Sequence, residues 1–169
     1  MEKIIRNYLE IKSIKELSEI KKPSNNFSLK EVSINDFQLN KFFYKQIGKK
    51  HQWVDRLTWT DKNWLEYLSN LNLFTYVLKN NEEIAGFFEL IYHKDRSETE
   101  IAYFGLLKEY LGKKLGGYML SEAIKKSFSY NVKRVWAHTC SLDHRYALNN
   151  YLSRGMKIYY TETANVKSA

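Results

Sequence analysis

Residues 101–118 read I-A-Y-F-G-L-L-K-E-Y-L-G-K-K-L-G-G-Y, an apolar run that meets a glycine-rich turn and then a helix-forming segment. No other stretch limits the possible folds as much. A strand that enters a helix through such a turn leaves the first helical N–H groups without intrahelical acceptors, and the helix dipole adds partial positive charge there. The combination suits a phosphate-bearing ligand. The chain has seven glycines, and Gly112, Gly116 and Gly117 all fall in this turn. Glycine used so sparingly marks a close approach of the backbone.

The flanking patterns set the class. Residues 74–78, 84–92 and 98–106 predict three strands. Asn80-Asn81 turns the chain between the first two and polar residues 93–97 between the next, giving an antiparallel meander. Leu115, Met119, Leu120, Ala123, Ile124 and Phe128 recur at helical spacing, which predicts an amphipathic helix over 116–129. Residues 135–139 predict a strand beyond it, parallel to the one before the glycine turn. A helix over 143–154 presents Ala147, Leu148, Tyr151 and Leu152 on one face. Gly155 suits its left-handed exit, and residues 156–163 close the pattern as a strand.

Upstream, residues 33–47 predict a helix capped by Ser33 or Asn35, with Phe37, Phe42, Phe43 and Ile47 on its apolar side and Gly48 at its exit. Thr60 or Asp61 caps a short helix carrying Trp64, Leu65 and Leu68. The N-terminal third predicts strands at 4–11 and 27–32, a short helix at 13–21, and a loop at Pro23. The fold class is α/β.

The 169 residues correspond to one domain spanning 1–169, and a hydrophobic content of 44% supplies its core. No apolar run approaches the roughly 20 residues a membrane helix needs. The N-terminus lacks the pattern of a secretory signal, and Cys140, the single cysteine, has no partner for an internal disulfide. The expectation is a cytoplasmic protein with no membrane partner, a monomer or a homodimer. The net charge of +8 favours anionic partners. The basic residues are scattered in pairs, so nucleic acid is compatible with the charge but not expected.

Two segments at the joints are sharper than the rest: E-Y-L-G-K-K-L-G-G and A-L-N-N-Y-L-S-R-G-M. In this order, over about residues 34–161, the chain resembles the GNAT superfamily of acyl-CoA-dependent N-acetyltransferases. The first segment is similar to that family's pyrophosphate loop, Q/R-x-x-G-x-G/A, and the second to its late helix. The segments H-T-C-S-L-D-H and W-V-D-R-L-T-W further resemble a bacterial branch of the superfamily. Three positions depart from the pattern: Glu109 stands for Gln or Arg, Lys114 for Gly or Ala, and Met156 for Phe.

The resemblance implies a GNAT-like fold, a mixed and mostly antiparallel sheet splayed between two parallel strands and flanked by helices. It implies acetyl-CoA as co-substrate and transfer of the acetyl group to a primary amine by direct attack, the acceptor being a small molecule or a peptide. Phe104, Leu106, Leu111, Gly112, Lys113, Lys114, Leu115, Gly116, Gly117 and Asn149 would bind the cofactor. The Leu106 N–H would meet the developing oxyanion. Tyr151, a phenol that stays protonated at pH 7, would protonate the leaving thiolate.

Glu100 or Glu89 would serve as base, though each reads more simply as a solvated edge carboxylate. Trp53, Asp55, Arg56 and Trp59 would border the acceptor, or else form a hydrophobic plug. Asp143 most simply caps the last helix. His138, Cys140, Asp143 and His144 lack the spacing of a zinc site, so no metal is expected. The rival from another class is a basic binding module that kept the fold and lost the chemistry.

Overall fold

A computed structural model describes residues 3–32 and 37–165. Its elements are β1 (Lys3–Ile11), β2 (Phe27–Glu31), α1 (Phe37–His51), α2 (Asp61–Leu68), β3 (Leu73–Asn80), β4 (Glu83–His93), β5 (Glu98–Leu106), α3 (Leu115–Phe128), β6 (Arg134–Cys140), α4 (Ala147–Ser153) and β7 (Lys157–Asn165). The expected α1 caps, Ser33 and Asn35, lie outside the described residues. Among the described residues no helix is long and apolar enough to cross a membrane.

The strands form one sheet in the order β2-β3-β4-β5-β6-β1-β7. Every neighbouring pair is antiparallel except β5 and β6. The meander β3-β4-β5 is as the sequence predicts. The position of β1 is not something local pattern contains. It enters between β6 and β7, pairing Leu9 with Ala137 on one side and Ile158 on the other.

Helices cover both faces of this sheet. On one face α3 buries Leu115, Met119, Leu120, Ala123 and Ile124 against Leu78, Phe88, Leu90, Ile101 and Val135. Their spacing is the helical stripe read from the sequence. On the other face Phe43 and Ile47 of α1 meet Val77 and Phe87, the Phe43 and Phe87 rings stacking at 4.8 Å. Thr60 caps α2 through a reciprocal capping box with Asn63.

Two predicted helices are shortened by tertiary bonds. Residues 13–21 make only a single 3-10 turn, Ile14–Glu16, because the following backbone bonds outward: Ser18 N–H to the Arg154 carbonyl at 2.9 Å and Ile20 N–H to Ser121 Oγ at 2.9 Å. The late helix starts at Ala147 rather than at residue 143. Asp143 does not cap it. Its carboxylate accepts from Thr139 Oγ1 at 2.5 Å and the Cys140 N–H at 2.9 Å, closing the turn after β6. The C-terminal end is as expected: Gly155 at φ 104° follows α4, with Gly155 N–H bonded to the Leu152 carbonyl and Met156 N–H to that of Tyr151. This is a Schellman ending.

Candidate active site

The cleft begins where β5 and β6 part. They pair only from Glu98–Arg134 to Glu100–Trp136, after which β5 runs on to Leu106 and β6 to Cys140 without bonding each other. Arg134 fastens the closed end, its guanidinium bridging Glu98 at 3.0 Å and Glu10 of β1 at 2.8 Å. Beyond it the edges stay free. Leu107 N–H donates to the Ala85 carbonyl, and Leu106 faces Gly86 across the ladder. Bonded and non-bonded pairs alternate in an antiparallel ladder. The N–H and C=O groups of Leu106 and Phe104 therefore point away from β4, into the cleft.

A cavity of about 810 Å³ occupies this fork. At one end lies the glycine turn. Gly112 at φ 76° and Lys114 at φ 61° bend the chain into α3, and Lys114 is its N-cap without a side-chain bond. Among the described residues the N–H groups of 112–117 have no protein acceptor. Leu111, Gly112, Lys114, Gly116 and Gly117 line the cavity, with Asn149 and Tyr151 of α4 opposite. Lys113 does not: its ammonium lies 5.5 Å from the Tyr110 ring centre. Leu115 is core, 1% exposed. Glu109 is exposed and outside the lining, so its departure from the family pattern puts no carboxylate at the turn.

Arg154, just past α4, supplies a cation that sequence reading passed over. It lines the cavity and abuts Gly117, where a Cβ would collide with its guanidinium. Asn150 Oδ1 holds it at 3.2 Å, and among the described residues no carboxylate pairs with it. Desolvation lowers its pKa. The Gly117–Arg154 contact spans two motifs read separately, so neither motif alone revealed it.

Tyr151 stands between the two ends, 7% exposed, its ring 6.4 Å from that of Phe104. Burial raises its pKa and the Asp143 carboxylate adds to the rise, so the phenol holds its proton. Cys140 is also raised by burial, with Asp143 contributing, which leaves it a thiol and a poor nucleophile.

The other end is built from four places: the end of α1 with the loop after it, β6, the turn after β6, and β1. Trp53 and Asp55 line it with His51, His138, His144 and Arg6. Trp53 packs edge-on against Tyr103 at 4.9 Å and directs its indole N–H toward Asp143 Oδ1 at 3.5 Å. Asp55 is exposed at the mouth. The contribution of β1 was missed because strand pairing across the whole chain leaves no local signal. His138 could have been found: in R-V-W-A-H-T-C, Val135, Ala137 and Thr139 are buried, which puts His138 on the opposite face.

Four further expected site residues, Arg56, Trp59, Glu89 and Glu100, are elsewhere. Arg56 is 6% exposed and Glu89 0%, and they face each other away from the cavity. Arg56 Nη1 donates to both Glu89 oxygens at 2.9 and 3.0 Å, and rings surround the guanidinium, with Tyr67 and Tyr103 each 4.1 Å and Trp59 4.8 Å from it. Burial alone would lower the Arg56 pKa, but Glu89 overcomes it and the value is raised. The buried Arg56–Glu89 pair, with the half-buried Trp59 against it, thus anchors the loop that carries Trp53 and Asp55. Glu100 is also outside the lining, bonded to His93 Nε2 at 3.0 Å.

A sheet forked around a cleft, with free strand edges and unpaired helix-start amides in it, is the arrangement of the GNAT fold. Residues 36–156, well over half of the chain, match the model of the Acetyltransferase (GNAT) family. The chain belongs to this family. No curated protein matches it.

Similar solved structures include a conserved protein of unknown function from Staphylococcus epidermidis, 16% identical, with 96% of this chain and 60% of that one covered and a TM-score of 0.64. This chain therefore spans about 60% of that protein's length. An aminoglycoside acetyltransferase from an uncultured soil metagenomic sample is 13% identical, with 79% and 90% covered and a TM-score of 0.64. The PaiA N-acetyltransferase of Thermoplasma acidophilum, in complex with coenzyme A, is 19% identical, with 63% and 74% covered and a TM-score of 0.50. At these identities the likeness is one of fold.

Proposed function

We propose that the protein transfers the acetyl group of acetyl-CoA to a primary amine of a small molecule by direct attack. The observation that carries this reading is the convergence, in one cavity, of the unpaired N–H groups at 112–117 with the free edge of β5 at Phe104 and Leu106 and with the Tyr151 phenol. Amides at a helix start and the cations of Lys114 and Arg154 suit a pyrophosphate. The free Phe104 backbone suits the amide-bearing arm of the cofactor, and Asn149 flanks it from α4.

Acetyl-CoA supplies a thioester whose carbonyl carbon the amine attacks, forming a C–N bond and releasing a thiolate. The Leu106 N–H faces the cleft and would donate to the oxyanion, a contribution of about 2.7–4 kcal/mol for a donor of this kind. Tyr151 would return a proton to the sulfur. Asp55 at the mouth suits an incoming ammonium, and Trp53 with Tyr103 forms an aromatic wall for the acceptor's body. The aminoglycoside acetyltransferase among the similar folds supports a small-molecule amine.

Calorimetry with acetyl-CoA, on protein freed of carried-through CoA, is the direct test. Micromolar or tighter binding followed by turnover of at least one member of an amine panel is the expected outcome. Absence of binding would overturn the reading and favour the basic binding module. Within the same assay Arg154→Gln is expected to weaken CoA binding by about tenfold or more, since a hydrogen bond to a charged group is worth about 1.5–3 kcal/mol. An unchanged dissociation constant would remove Arg154 from the phosphate site.

A further inference from the structure

We infer that His138 is the catalytic base, taking the proton from the acceptor nitrogen as the C–N bond forms. This rests on the acetyl-transfer reading and supplies the one role that neither expected carboxylate fills. Glu89 is sealed in its ion pair with Arg56, and Glu100 is engaged by His93.

The remaining titratable groups of the cavity narrow the choice. Asp143 is held by Thr139 and the Cys140 N–H. His144 Nδ1 accepts from the Tyr146 N–H at 3.2 Å, and His51, whose Nδ1 lies 3.3 Å from the Leu142 carbonyl, sits at the end of α1 and off the two strands that part. Asp55 is exposed on the loop after α1, where it suits the acceptor's ammonium. Among the described residues His138 has no hydrogen-bond partner on either ring nitrogen, so one is free to accept. Its place is also right. It lies two residues past the last β5–β6 pair, Glu100–Trp136, on the strand facing the free edge of β5. The ring of Tyr8 supports it at 5.5 Å.

Charged groups face His138 from several elements. Arg6 comes from β1 and is itself paired with Glu162 of β7 at 3.1 Å. Glu100 comes from β5, Asp143 from the turn after β6, and Asp55 from the loop after α1. Tyr8 is tied to Glu162 at 2.9 Å. Desolvation is the largest effect on the imidazole and lowers its pKa; Arg6 lowers it further against the three carboxylates. The imidazole is therefore neutral, and able to accept, at pH 7.

In the step itself the amine lone pair forms the C–N bond, an N–H proton passes to the His138 imidazole, the C–S bond breaks, and Tyr151 protonates the thiolate. The tyrosinate then recovers its proton from the imidazolium through water, so both groups are restored.

The test uses the amine that the panel identifies as best acceptor, at saturating acetyl-CoA. His138→Gln is expected to lower kcat by about 100-fold and to remove the acid limb of log kcat below about pH 6.5, with the acetyl-CoA dissociation constant within about twofold of wild type. His138→Ala should regain activity with added imidazole. Turnover within about threefold of wild type, or a large loss with the acid limb intact and no imidazole rescue, would overturn the assignment. If wild-type protein binds no acetyl-CoA or acetylates no amine, it is the acetyl-transfer reading that fails.

Discussion

Replacing Arg56 by methionine is expected to lower the unfolding free energy by about 3–5 kcal/mol, measured by urea denaturation, because it strands a fully buried carboxylate. Glu89 is 0% exposed and takes both bonds from the Arg56 guanidinium. Without it the carboxylate must stay charged in an apolar setting or take up a proton. The rings of Tyr44, Trp59, Trp64, Tyr67 and Tyr103 around the guanidinium would also lose their cation. The double variant Arg56→Met with Glu89→Leu should recover most of the loss, since an apolar pair of similar size avoids the desolvation of both charges.

The same substitution should reach the cavity. The Arg56 N–H donates to Tyr44 Oη at 2.9 Å, and the residue before it is Asp55 at the mouth. A loosened anchor should raise KM for the amine while leaving acetyl-CoA affinity unchanged, because the glycine turn lies on other elements. A cost below about 1 kcal/mol for the single variant would show that the pair is not what holds this loop.

Tyr151→Phe is expected to lower kcat by about 100-fold or more while leaving acetyl-CoA binding near wild type. The ring packs beside Phe104 and supports α4, and phenylalanine keeps that packing. Only the acid is lost. The raised pKa of the buried phenol means that wild type carries its proton throughout the neutral range, so Tyr151 should add no limb to the pH profile below pH 9. Unchanged turnover at saturating substrates would remove Tyr151 from the mechanism.

Much of this was readable from sequence, for a physical reason. The glycine turn, the α3 stripe and the Gly155 exit are set by contacts within a few residues, and their signals lie in the local pattern. The cavity lining by Gly112, Lys114, Gly116, Gly117, Leu106 and Tyr151 belongs to that part. Arg56 was read as a site residue because a charge in a tryptophan-rich loop looks accessible, and Glu89 because a carboxylate on a meander strand can take a proton. Their pairing joins positions 33 residues apart and appears only when the chain is packed. Asp143 likewise looked like a helix cap, since an Asp before a helix usually is one. Its turn back to Thr139 and Cys140 depends on where β6 ends. Arg154 and Arg6 enter the cavity through tertiary contacts alone.

The insertion of β1 between β6 and β7 also dictates an order of events in folding. Arg6 and Glu162, which lock it in place, are 156 residues apart in the chain. As the chain is synthesised, β1 emerges well before β6 and β7 and has neither neighbour until they follow. The meander and α3 can assemble early, while β1 remains an unpaired strand with both edges open. Such a topology favours slow completion and a window of vulnerability to aggregation. A refolding experiment should find the β3–β5 amides protected from exchange before those of β1 and β7, the half of the cleft that carries His138 being finished last.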